Sequence, residues 1–477
     1  MENRRVLCCL LLIYFVLTFS CLFYWQNKNH NLLTGDEPHY LVLASAIAHW
    51  GTFEQSKAYL LEFKNNDFYN WNIREDFVSP QNTHALLGKN GLFNIHNVGL
   101  PLLLALPLKI KGVLGAQLTM LLLSAFLPFF VFLFACRFSK NQKNIFYSVL
   151  LSSIALPFIP ASFRIFPDIL AGILSLAALY GVFFYSSMNY LKKIILIFCI
   201  AFLPWLQIKF SAAAFILFFA FLFFEFLNYK KIKYLNPSNK IIVLLFLIIF
   251  SISFLLLAYY NFYAFDSVFG PYSNGALVLN KTNFMVLLGL FLDQNHGFLM
   301  QNPIHFVGVF YCAYLYYYNR FAFWVWLFVF LSFVIPHSMH PNWYGGASFV
   351  GRFQWAATCV FVIPTVLGLI HILEKINHQQ IQNNLKLFCI KLFFCFSIAL
   401  QLYFYHRYMR KLIHIFNKDE NTPFDSYSVF YRHFLDHYLP MFYNSNLAFS
   451  YFPNYFWIGV FLIIFIFGFL NKERIKK

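Results

Sequence analysis

The residues able to do chemistry stand in a few short polar stretches. Between Thr34 and Tyr40 the chain reads Thr-Gly-Asp-Glu-Pro-His-Tyr, with the carboxylates Asp36 and Glu37 side by side. Arg164 and Asp168 flank a Phe-Pro pair, Lys209 sits in Gln-Ile-Lys-Phe, and Asn261 opens a run through Asp266 to Pro271. Further on come Asp293 to Gly297 with His296, then His337, His340, Trp343 and Arg352. Adjacent carboxylates together with separated cations suit one task. The cations hold a lipid phosphate while a carboxylate takes the proton from an attacking hydroxyl. Plainer readings stand beside this one. An Asp-Glu pair after a first helix is equally a solvated loop, Arg164 with Asp168 is equally a structural ion pair, and Lys209 is equally a snorkelling side chain. His337 and His340 supply two ligands, too few for a zinc site, so no metal ligand set is read from the sequence.

The elements that must position these residues are membrane helices. Of 477 residues, 60% are hydrophobic and 11% charged, and the mean hydropathy is +0.62. A soluble core could not absorb that many apolar side chains, which excludes a soluble enzyme, a single-pass receptor and a disordered chain. The apolar runs are continuous rather than alternating, which disfavours an outer-membrane barrel. At about 20 residues per crossing, twelve spans are expected: Val6 to Trp25, then 113–136, 145–160, 169–189, 194–208, 210–229, 241–263, 304–319, 321–336, 354–374, 387–405 and 453–470. The expected class is therefore an all-α polytopic membrane protein with a large first external loop, 26–97.

The formal charge of +17 gathers in basic clusters at span ends: Arg4 and Arg5, Arg137 to Lys143, Lys192 and Lys193, Lys230 to Lys240, and Lys472 to Lys477. These report orientation, not nucleic acid, and place both termini in the cytoplasm. The polar stretches above then fall on the outer side. The first run is long enough to span and lacks a cleavage site, so it reads as a helix and not a signal peptide. The nine cysteines lie in or beside apolar runs and read as small hydrophobes. Leu100 to Ile110 is too short to cross and reads as an interfacial helix, and Phe284 to Gln301 as a re-entrant or interfacial element. A second external loop is expected at 406–453.

Six of these stretches, in order, resemble the membrane glycosyltransferases of the C superfamily, the family of protein O-mannosyltransferases and aminoarabinose transferases. Gly35 to Tyr40 resembles the first-loop acidic motif, Phe166-Pro167-Asp168 a later Pro-Asp motif, and Ile208-Lys209-Phe210 a basic position between two helices. Asn261 to Pro271 is similar to an Asn-aromatic-Phe-Gly-Pro stretch, and His296-Gly297 with Pro303 to a Gly-then-Pro element. Trp343-Tyr344-Gly345-Gly346 with Gly351-Arg352 is similar to a Trp-Gly-Gly-Gly-x-Arg pattern. The sequence departs from the family where Val350-Gly351 replaces a Pro before the last Arg, and where Asp266 replaces a more usual basic residue.

The resemblance implies inverting transfer of a hexose or pentose from a polyprenyl-phosphate carrier to a glycan, lipid or protein acceptor on the outer face of a bacterial cytoplasmic membrane. It implies Asp36 as general base. Lys209, Arg352 and Arg164 would neutralise the departing phosphate. Glu37, His39, Tyr40, Asp168, Asn261, His296 and Trp343 would bind substrate, Glu37 alternatively holding a divalent metal as in some relatives. It also makes 1–374 the catalytic module and 375–477 a C-terminal region. The rival class is a transporter or flippase for a lipid-linked sugar or other amphiphile, whose signature would be broken helices and ionisable groups near the midplane. A non-catalytic envelope-assembly partner is the third.

Overall fold

The computed structural model describes residues 2–28, 33–69, 78–231, 237–271, 277–294, 296–340, 345, 351–377, 384–409, 438–442 and 448–471. Helix stands at each of the twelve expected places. Eight helices are long and apolar enough to cross a membrane among the described residues. The others, Gln142–Ser153, Pro167–Phe183, Tyr190–Leu206 and His305–Tyr318, are 12, 17, 17 and 14 residues long, short of the ~20 a full crossing takes. The spans are covered outside by large apolar side chains such as Phe388, Leu392, Phe396, Phe467 and Leu470, each more than half exposed. Surfaces of that kind require a hydrocarbon solvent, and the chain is a membrane protein.

The chain forms two compact units. The first comprises Met1–Asn31, Ser124–Ser162 and Val278–Lys477. Its centre is the helix Trp355–Asn377, four-fifths of whose apolar window is buried. The helix His305–Tyr318 lies close against it because Gly308 and Gly368 carry no side chain. A Cβ on Gly308 would stand 2.4 Å from Thr365 Oγ1, and one on Gly368 2.6 Å from Tyr311. Small residues at such contacts are the usual means of close helix packing in lipid. The expected interfacial element at 284–301 is two short helices, Asn283–Leu292 and Phe298–Gln301, separated at Asp293 to Gly297.

The second unit comprises Leu32–Leu123 and Phe163–Leu277. It contains the first polar loop, which is a folded layer. Helix Glu37–Trp50 is followed by helix Ser56–Asn65 and an antiparallel hairpin, Ala85–Gly88 with Gly91–Asn94. The class is all-α as expected, with this short hairpin as the one sheet among the described residues. Lys89 and Asn90 form the two-residue turn, and Gly91, which opens the return strand, has φ +124°, a backbone conformation glycine takes readily. One side of helix Glu37–Trp50 packs Val42 and Ala46 on Tyr59, Phe63, Ala85 and Leu92. Its other side packs Leu43 with Phe93 and Val98 on Leu257, Tyr260 and Ala264 of the membrane helix Pro237–Phe265. The hairpin meets that helix so closely that a Cβ on Gly88 would lie 2.1 Å from the Ala264 carbonyl oxygen.

The expected interfacial piece is also distinct. Helix begins at Gly99 and its dihedrals break at Lys111 and Gly112, the latter at φ +58°. Along this piece Leu102, Leu103, Leu106 and Ile110 are exposed on one side, while Leu104, Ala105 and Leu108 are buried. Lys109 Nζ donates 3.1 Å to the Ala48 carbonyl near the end of helix Glu37–Trp50, where a cation also complements the helix dipole.

Candidate functional site

The acidic motif sits at the start of helix Glu37–Trp50. Gly35 has φ +56°, the left-handed conformation that turns the chain into the helix. Asp36 holds the N-cap position but makes no capping hydrogen bond with its side chain, and Pro38 occupies the first turn, where its missing N–H costs nothing.

The two carboxylates have different surroundings. Glu37 is fully buried. Its Oε2 accepts from Arg164 Nη1 at 3.2 Å and from the Thr34 amide at 3.0 Å, and its Oε1 accepts from the Ile165 amide at 2.9 Å. The Glu37 and Arg164 side chains are both 0% exposed. A buried carboxylate is tolerable only with such a set of charged and amide donors. Asp36, one residue earlier, is 17% exposed and points Oδ1 at two imidazoles, His96 Nε2 at 3.5 Å and His84 Nδ1 at 3.7 Å.

The histidines come from the two ends of the hairpin. Ala85 pairs with Asn94, and one step outward the Ile95 amide donates to the His84 carbonyl, so His84 and His96 emerge side by side. His96 Nε2 lies 3.3 Å from His84 Nδ1. The rings are held by stacking: His39 on His84 with centroids 4.3 Å apart, and Tyr40 on His96 at 4.8 Å. Asn94 braces the arrangement, accepting from the His96 amide at 2.8 Å and donating to the His39 carbonyl at 3.0 Å. His39 itself shares a 2.7 Å hydrogen bond with the Tyr59 hydroxyl. Burial, and then the neighbouring His84 and His96, lower the His39 pKa to about 2 against the opposing pull of Asp36. His39 is therefore neutral. Neither His84 nor His96 stands out in the sequence; counting outward from the Lys89-Asn90 turn, which sets His84 opposite Ile95 and beside His96, is the signal that finds them.

Contacts run on from the motif to the other predicted residues of the unit. Arg164 and Ile165, clamped by Glu37, precede helix Pro167–Phe183, whose first turn carries Asp168. Asp168 Oδ1 accepts from Lys209 Nζ at 2.7 Å. Arg164 thus pairs with Glu37 and Asp168 with Lys209. Lys209 keeps 22% of its side chain exposed, whereas Arg164 is sealed. Asn261 is buried and donates to the Val268 carbonyl at 3.1 Å, closing the turn that ends at Gly270. Asp266 has φ +55° and pairs at the surface with Lys89 at 3.3 Å.

Comparison with family models, with curated proteins and with solved structures finds no match for this chain.

The remaining predicted residues belong to the first unit. His296 is buried, its amide donating to Asp293 Oδ1 at 2.9 Å while Asp293 Oδ2 accepts from the Phe442 amide at 2.8 Å. Arg352 is buried with its guanidinium 4.8 Å from the Phe353 ring centroid, and His337 stacks on that ring at 4.5 Å. Trp343 lies outside the described residues, as does most of the expected loop 406–453.

Proposed function

We propose that the protein is a membrane glycosyltransferase that moves a hexose or pentose from a polyprenyl-phosphate carrier to an acceptor hydroxyl, with Asp36 as general base. The observation that carries this reading is the division of labour between neighbouring carboxylates. Glu37 is consumed by Arg164 and two amides and fixes the start of the helix, and Asp36 is thereby held at the edge of a polar cluster with part of its side chain open to solvent. In the reaction the acceptor oxygen bonds to the anomeric carbon from the face opposite the phosphate. Its proton passes to Asp36, the glycosidic bond to phosphate breaks, and the polyprenyl phosphate leaves with the electron pair. The configuration at carbon is inverted.

Charge growing on the phosphate oxygen is met by Lys209, a single contact of this kind being worth about 3 kcal/mol. Arg164 serves in place by anchoring Glu37. The basic span ends support a bacterial cytoplasmic membrane with both termini inside and the acidic motif outside. The test is transfer of radiolabelled sugar from a polyprenyl-phosphate donor by the purified full-length protein. Asp36→Asn is expected to lower kcat by 10²- to 10⁴-fold, the usual range for removing a general base. Undiminished transfer, or ion-coupled transport in liposomes with no glycosylated product, would overturn the assignment.

A further inference from the structure

We infer that Asp36, His84 and His96 form a binding site for one divalent transition-metal ion of the zinc class. The three atoms Asp36 Oδ1, His84 Nδ1 and His96 Nε2 make a nearly equilateral triangle with edges of 3.7, 3.5 and 3.3 Å, and each is the ligating atom its residue would offer. Ligands held ~2.0–2.1 Å from a tetrahedral zinc stand about 3.3 Å from one another. The triangle therefore fits an ion seated slightly off its plane.

Hydrogen bonding accounts for the spacing less well. Both edges to the carboxylate exceed the 2.7–3.2 Å of N–H···O bonds. Three similar edges are the spacing that one central ion accommodates. The composition agrees, since two imidazoles and a carboxylate suit zinc and its neighbours and are a poor set for magnesium, which prefers oxygen.

The surroundings are those of a built site. His39 and Tyr40 stack on the two ligand rings, and Asn94 fixes the His96 backbone. All the ligands come from the folded first loop, at a helix start and the two ends of one hairpin, so the loop's own fold creates the geometry. His84 is 43% exposed and Asp36 17%. Three protein ligands with an open side leave a fourth position for water or a substrate oxygen, the pattern of catalytic rather than structural zinc. The inference rests on this geometry alone and does not require glycosyl transfer; Asp36 would ligate through Oδ1, which leaves Oδ2 as the oxygen for the base role.

The test uses full-length protein in detergent, stripped with a chelator and dialysed against Zn²⁺ or Mg²⁺, with bound metal measured by mass spectrometry and the melting temperature followed in parallel. Wild type is expected to retain one equivalent of Zn²⁺, to melt higher with it, and to retain no Mg²⁺. His84→Ala, at a half-exposed position that the fold does not need filled, is expected to weaken Zn²⁺ binding by more than the ~100-fold that changes outside the ligand set reach. Asp36→Asn should do the same, while His49→Ala, in the same helix but outside the triangle, leaves binding unchanged. Failure of wild type to take up zinc, equal uptake of Mg²⁺, or full retention by His84→Ala would each overturn the site. None of these readouts uses a sugar donor, so the result is independent of whether transfer occurs.

Discussion

Cutting the Glu37–Arg164 pair gives the sharpest test of how the acidic motif is held. Both side chains are wholly buried, and the 3.2 Å contact between them is supported by amide donors from Thr34 and Ile165. Arg164→Met leaves Glu37 sealed away from water without its counter-charge. Loss of one partner of a buried pair costs about 3–5 kcal/mol, because the survivor keeps its desolvation penalty. Glu37→Gln strands the guanidinium and should cost a similar amount. The double variant removes both charges, so its cost should fall well below the 6–10 kcal/mol (about the sum of the singles) expected without coupling. The assay is denaturation of purified protein in mild detergent, with hydrogen exchange over residues 33–69 and 78–97 reporting whether the first loop opens before the rest. Single variants costing under ~1 kcal/mol, as exposed pairs do, or a double variant equal to the sum, would refute the reasoning.

Three further outcomes follow from the same unit. His39 has its pKa lowered to about 2 in the fold against 6.5 unfolded, so its contribution is complete above pH 6.5 and is lost as pH falls toward 2. Between pH 6.5 and 4.5 this amounts to about 2.7 kcal/mol, at 1.36 kcal/mol per pH unit; His39→Gln should flatten the acid limb of a stability-versus-pH curve. Gly88→Val places a side chain into the Ala264 carbonyl, which should cost at least ~1–3 kcal/mol and appear as faster proteolysis of the hairpin at unchanged helix content by circular dichroism. Lys209→Met should lower kcat/KM for a polyprenyl-phosphate donor by about 10²- to 10³-fold and should lower the melting temperature as well, since it strands the buried Asp168 carboxylate.

The membrane helices were legible because apolar runs of spanning length have one physical use. Helix begins and ends within a few residues of the expected places at Glu2–Asn27, Pro237–Phe265 and Phe452–Leu470. Span length was less legible, since Gln142–Ser153 stops at a Ser-Ser step before Pro157 and the apolar run through it looks continuous. In the acidic motif, the types of Asp36 and Glu37 were readable but their partners were not. Arg164 lies 127 residues from Glu37, and neither periodicity nor spacing encodes that meeting. His84 and His96 went unremarked because each is an ordinary polar residue until a hairpin brings its two ends together. The turn at Lys89-Asn90, bracketed by Gly88 and Gly91, carries that information, and the helical character of everything around it masks it.

On the proposed function, the break at Lys111–Gly112 would give the lipid a lever on the chemistry. The piece before it is too short to cross and exposes Leu102, Leu106 and Ile110, an apolar side whose depth in a bilayer would follow the acyl chains. Through Lys109 it grips the far end of the helix that begins with Asp36. A thinner or thicker bilayer would thus tilt the carboxylate at the opposite end, and turnover in vesicles should vary with acyl-chain length even when every substrate concentration is held fixed.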